Sequence, residues 1–136
     1  MGLLSSDVFF YGLFMDAAVL EARGISSPGG RPGVVRDWAL RIGHRATLIP
    51  DPGRAVHGVL MSLPLPDLDR LYAEASVQMY RPVAVLVEAR GMAVPALAYV
   101  LPEPPAPEEG NPEYAAKLRA LTERLGLPAE YTQSIV

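Results

Sequence analysis

Apolar and polar positions change rhythm several times along the chain, and each rhythm predicts an element. Val8-Phe9-Phe10-Tyr11 is a short β-branched and aromatic run ended by Gly12, the pattern of a buried strand entering a turn. Asp16 stands where it caps a brief helix through Arg23, built from Ala17, Ala18, Val19, Leu20 and Glu21, with Gly24 as its stop. Ser26 to Pro32 reads as a loop. From Gly33 to Ile42, the residues Val34, Trp38, Leu40 and Ile42 fall at even positions, which predicts a strand with one buried face. A strand over 45–49, the turn chemistry of Pro50-Asp51-Pro52-Gly53 and a further strand over 55–61 make a meander.

After Pro66 the spacing becomes helical: Leu68, Leu71, Tyr72 and Ala75 predict an amphipathic helix over about 66–74. The run within 82–88 is continuously apolar, as in a strand covered on both faces, and 93–100 gives another strand after an Arg90-Gly91 turn. The segment 102–112 holds five of the fourteen prolines and three glutamates, which favours an extended connector. Asn111 caps a last helix with Pro112 in first position, an apolar stripe of Tyr114, Leu118, Leu121 and Leu125, and Gly126 and Pro128 as its end. The sum is one α+β domain over 1–136, a small mixed, barrel-like sheet of about six strands with short helices packed outside.

Composition narrows the chemistry. At 136 residues the chain buries roughly two-thirds of its unfolded surface without staples. With no cysteine there is no disulfide scaffold, thiolate nucleophile or zinc ribbon, and with only His44 and His57 a metal site is not expected. A formal charge of −3, with the arginines scattered, argues against nucleic acid as a partner. No apolar run reaches the ~18 residues of a membrane span, and the first residues lack signal-peptide character, so a cytoplasmic protein is expected. One lysine beside eleven arginines, with abundant alanine, fits a GC-rich bacterial genome. The oligomeric state is left open.

Two places carry candidate chemistry. A strand that turns sharply at Gly12 into a helix start leaves backbone N–H groups unpaired, and such groups bind anions. The plainer reading makes Tyr11-Gly12 a turn and Phe9, Phe10, Leu13 and Phe14 core. Glu74 lies near the end of the second helix, where a carboxylate can turn back over the sheet. At 100° per residue, however, it falls on the charged flank with Asp67 and Arg70, so a solvated glutamate is the alternative unless the helix ends earlier. The serines lack a neighbouring His with an acidic orienter, so a hydrolase triad has no support.

In this order, the segments resemble the gamma-glutamylcyclotransferase-like family over most of the chain. Tyr11-Gly12-Leu13-Phe14-Met15 resembles the family's Tyr-Gly-Ser-Leu loop, and Val56-His57-Gly58-Val59-Leu60 its middle strand. Leu68-Asp69 and Glu74 resemble its acid-bearing helix end, and Tyr80-Arg81 with the apolar strand resembles the tyrosine and strand that succeed that helix in the family. Tyr99 looks like a strand tyrosine, and Leu127-Pro128-Ala129-Glu130-Tyr131 like the closing motif. The loop serine is here Leu13 and its leucine Phe14. Tyr72 stands three residues after Asp69, where the family's Glu usually sits, and Glu74 matches it with two residues inserted.

The resemblance implies a small barrel that cyclises a gamma-glutamyl amide, peptide or amine to 5-oxoproline, without metal or organic cofactor. Glu74 would move the proton from the α-ammonium to the departing amine, while Tyr11, Gly12, Leu13, Phe14, Tyr80, Tyr99 and Tyr131 would hold the substrate. The alternative on the same fold is a non-catalytic module that binds a small carboxylate ligand or a partner protein, motivated by Leu13 and Tyr72, which make the site more apolar.

Overall fold

The computed structural model describes residues 4–26 and 29–136. Strand β1 (Ser5–Phe10) buries Val8, Phe9 and Phe10 and pairs antiparallel with the end of β3 (Ala46–Pro64). On its other side Val8 meets Leu97 of β5 (Met92–Val100) in parallel. β3 and β2 (Arg31–Ile42) form a long hairpin, and Val34 of β2 meets Glu88 of β4 (Arg81–Ala89). β4 and β5 form a second hairpin across Arg90 and Gly91, both at positive φ. The order β1-β3-β2-β4-β5 therefore closes into a barrel around one apolar core, with the β1–β5 and β2–β4 seams each marked by one residue pair. The strands pass closely where Gly58 lies, since a Cβ there would run into the Phe10 carbonyl and the Phe9 ring.

The barrel has five strands rather than six, because the two strands expected on either side of Pro50-Asp51-Pro52-Gly53 are one. Register jumps from Arg36 opposite Ala55 to Trp38 opposite Pro50, so residues 51–54 bulge out against Asp37. The Asp37 carboxylate accepts the Gly53 N–H at 3.0 Å, and pairing resumes on both sides. This bulge also shifts the face that β2 buries: Val35, Ala39 and Ile42 are buried, whereas Val34, Trp38 and Leu40 are half-buried. Of the loop expected over 26–32, residues 27 and 28 lie outside the described residues, and Arg31 and Pro32 already belong to β2.

Helix α1 (Ala17–Glu21) begins where Asp16 accepts the Ala18 N–H, as its capping role predicts. Helix α2 (Leu65–Leu71) buries Leu68 and Leu71 but ends before residue 74, with Tyr72 drawn off into an aromatic cluster. Helix α3 (Pro112–Arg124) starts from Asn111, whose Oδ1 accepts the Tyr114 N–H, and buries Ala115, Leu118 and Leu121. Leu125 falls at its end and is exposed. A further short helix, α4 (Ala129–Ser134), buries Tyr131 and is joined to α3 by the hydroxyls of Thr122 and Thr132 at 2.8 Å.

The proline-rich segment before α3 has no regular structure, yet it is anchored to the barrel. The Arg41 guanidinium donates to the Ala106 carbonyl at 2.7 Å, and Glu109 accepts from the backbone N–H groups of Ala106 and His44. Glu109 is thus a structural acceptor and not the solvated connector residue that composition implies.

Candidate functional site

Where β1 ends, a cavity of about 660 Å³ opens between the barrel and the elements laid over it. Phe9, Phe10 and Tyr11 of β1, the Gly12–Phe14 turn and Arg23 after α1 form one side. His44, Arg45 and Ala46 at the β2–β3 turn, the segment from Tyr72 to Tyr80 behind α2, Tyr99 of β5 and Tyr114 of α3 form the other. The sequence builds this wall locally. A short helix that stops at Leu71 leaves Tyr72 to stack on Tyr99, with ring centroids 3.8 Å apart and planes 10° from parallel. Phe14 meets Tyr72 edge-on at 5.8 Å, and Tyr80 tilts against it at 6.3 Å.

The hydroxyls are committed unequally. Tyr11 donates to the Tyr99 carbonyl at 2.6 Å and Tyr80 to the Ala46 carbonyl at 2.5 Å. The Tyr114 hydroxyl faces the Leu13 backbone, which draws its pKa down against burial, and sits so close to Gly12 that a Cβ there would lie 2.6 Å from it. Gly12 is therefore needed for α3 to reach the loop. Burial pushes the phenols of Tyr11, Tyr72, Tyr80 and Tyr114 upward, reinforced by neighbouring tyrosines at Tyr11 and Tyr72 and opposed at Tyr80 by Arg45. Tyr99 is raised by burial and by Asp69. These phenols stay protonated at neutral pH and act as donors and acceptors rather than as bases.

Charge in the lining is basic. Arg23 and Arg45 contribute to it, with His44 beside Arg45, and among the described residues no carboxylate lines it. The Arg23 guanidinium lies over the Phe14 ring, 5.2 Å from its centroid, and its Nε meets Glu74 Oε2 at 3.2 Å. The Arg45 Nε donates to the Ser76 carbonyl at 3.0 Å.

Six of the residues expected from sequence therefore meet in this cavity: Tyr11, Gly12, Leu13, Phe14, Tyr80 and Tyr99. Glu74 and Tyr131 do not line it. Glu74 is 42% exposed and paired with Arg23, itself a lining residue, while Ser76, Val77 and Tyr80 after it belong to the wall. Tyr131 packs against the His57 ring at 5.0 Å and lines a separate hollow of about 50 Å³ beside Ala39, Arg54 and Ser134, since α4 lies over β2 and β3. Sequence reasoning took Tyr114 for a stripe residue and named neither Arg23 nor Arg45 for the site. No local pattern signals them, since each is brought in by a different element. No group of three or more potential metal ligands occurs among the described residues, and no helix there is long and apolar enough to cross a membrane.

Fold and cavity define the class: a small closed mixed barrel whose opening strand ends in a glycine turn at the mouth of an aromatic pocket. The chain belongs to the gamma-glutamyl cyclotransferase, AIG2-like family, whose model matches residues 8–118. No curated protein matches it. Among solved structures, one described as a gamma-glutamyl cyclotransferase superposes with a TM-score of 0.78 at 22% identity, covering 97% of this chain and 86% of that one. YkqA from Bacillus subtilis superposes at 0.81 with 26% identity over 95% of this chain, which spans 52% of YkqA. A yeast gamma-glutamyl cyclotransferase specific to glutathione gives 0.64 at 15% identity, covering 96% and 93%.

Proposed function

We propose that this chain is a ligand-binding member of its family, whose cavity takes a small carboxylate with an apolar or aromatic body and does not cyclise it. The observation that carries this reading is the lining itself, which among the described residues holds basic and aromatic side chains and no carboxylate, with Tyr72 where the resemblance puts the family's acid. Lactam closure of a gamma-glutamyl amide requires a base that takes a proton from the α-ammonium and returns it to the leaving amine. Phenols raised by burial do not accept that proton at neutral pH, and Glu74 is engaged by Arg23 outside the lining. The same inventory suits an anion. Arg23 and Arg45 offer guanidinium donors to a carboxylate, and the rings of Phe14, Tyr72 and Tyr99 offer faces to an apolar body.

The test pairs turnover with binding. Incubated with gamma-glutamyl-alanine, the protein is expected to release no 5-oxoproline above background, while 4-phenylbutyrate raises its melting temperature in a saturable way. Arg23→Gln weakens that shift. Steady 5-oxoproline release overturns the reading.

One observation favours cyclotransferase activity as a second reading: Glu74 is joined to the cavity wall through a single side chain, Arg23. On that reading the protein forms 5-oxoproline, and Glu74→Gln abolishes the activity with the fold intact. Equal release by the variant removes Glu74 from the mechanism.

A further inference from the structure

Among the cavity tyrosines, Tyr72 is the most closely packed by other rings, and it shares with Tyr99 a hydroxyl that no described residue bonds. Its ring is held by Tyr99 on one face, by Phe14 edge-on and by Tyr80 at a tilt, so the side chain has little freedom left. Its hydroxyl nevertheless has no hydrogen-bond partner among the described residues. The hydroxyls of Tyr11 and Tyr80 donate to backbone carbonyls, and that of Tyr114 is set against the Gly12 turn. Packing alone would be served as well by phenylalanine, since the hydroxyl adds a polar group to an apolar wall without a bond to offset its desolvation. That group is left for whatever enters the cavity.

The charges of the site lie elsewhere. Arg23 is placed between Phe14 and Glu74, and Arg45 is held at the Ser76 carbonyl and acts on Tyr80. The rings packed on Tyr72 are those of Tyr99, Phe14 and Tyr80, and among the described residues the cation over this cluster, Arg23, lies on Phe14 rather than Tyr72. An anionic oxygen at the Tyr72 hydroxyl would be desolvated without a counter-charge, whereas a neutral oxygen gains a donor at little cost. Tyr99, its stacked partner, is instead influenced by the Asp69 carboxylate on α2.

We propose that Tyr72 is a specificity-determining residue that donates its hydroxyl proton to a neutral carbonyl oxygen within the apolar body of the carboxylate ligand. The cavity then reads two features at once, an anionic end at the arginines and a carbonyl set back from it among the rings. This rests on the binding reading above and deepens it to a ligand class, the aryl or alkyl keto acids and acyl amides that end in a carboxylate.

A matched pair of probes tests it. 4-Oxo-4-phenylbutyrate and 4-phenylbutyrate share their carboxylate, chain length and ring and differ in the ketone. Calorimetric titration of the wild-type protein is expected to give roughly three- to tenfold tighter binding of the keto acid, the contribution of one neutral hydrogen bond. In Tyr72→Phe that ratio falls to about one, and the ligand-free melting temperature is not lowered, because no protein hydrogen bond is lost. Arg23→Gln weakens both probes and leaves the ratio intact. Equal wild-type affinities, or a ratio preserved in Tyr72→Phe, overturn the proposal while the binding reading stands. Binding of neither probe overturns the binding reading and this inference with it.

Discussion

Gly12 and Tyr114 show how a single atom decides the shape of the site. Only a glycine lets the Tyr114 hydroxyl approach the turn after β1, and that hydroxyl crowds the turn that the sequence pattern leaves open for an anion. Gly12→Ala places a methyl group 2.6 Å from the phenolic oxygen, and the overpacking is expected to cost about 1–3 kcal/mol of stability. Tyr114→Phe removes the clashing oxygen, so the double variant recovers most of that loss. Urea unfolding of the four proteins in a mutant cycle measures the coupling, and additive losses would show that the two residues do not meet. Tyr72 illustrates the opposite case, in which sequence order pointed to a position and the structure put it in the cavity wall with different chemistry.

The strap before α3 is the element whose role composition misread. Prolines and glutamates in one segment describe an extended chain correctly, but not what it is fastened to. Arg41 and Glu109 fasten it, through bonds to the Ala106 carbonyl, the Ala106 N–H and the His44 N–H. Those two N–H groups hold the Glu109 carboxyl below its ordinary value. A group depressed on folding stabilises the native state above its unfolded pKa and loses that contribution as pH falls through the folded one. Glu109→Gln is therefore expected to lower the melting temperature at pH 7 and to reduce its further drop on acidification to pH 3. An unchanged acid dependence would count against the strap. The bulge in β3 obeys similar logic, because one carboxylate, Asp37, lets a turn-forming sequence leave the ladder and rejoin it.

Closure of the barrel has an electrostatic consequence for the molecule. The chain carries a formal charge of −3, yet folding gathers Arg23 and Arg45 from two distant segments at one cavity. On the proposed reading, a carboxylate ligand is attracted locally by a protein of like overall sign. Exposed charges are screened over about 10 Å at 0.1 M salt, so the affinity for 4-phenylbutyrate is expected to fall several-fold between about 0.05 and 0.5 M sodium chloride. A salt-independent affinity would mean that the arginines do not bind the anion.

Periodicity, caps and turn residues were sufficient for the class of fold and for most elements, since these depend on neighbours a few residues apart. The strand at 8–11, the Asp16 and Asn111 caps and the β4–β5 hairpin were legible for that reason. Two strands merged into one, and Glu74 and Tyr131 fell outside the cavity, because register, helix length and docking are settled by contacts between distant segments. The cavity wall is the extreme case: Gly12 meets Tyr114 and Tyr72 stacks on Tyr99 through tertiary packing, Arg23 finds Glu74 through a long-range ion pair, and no local pattern along the chain records which of them will meet.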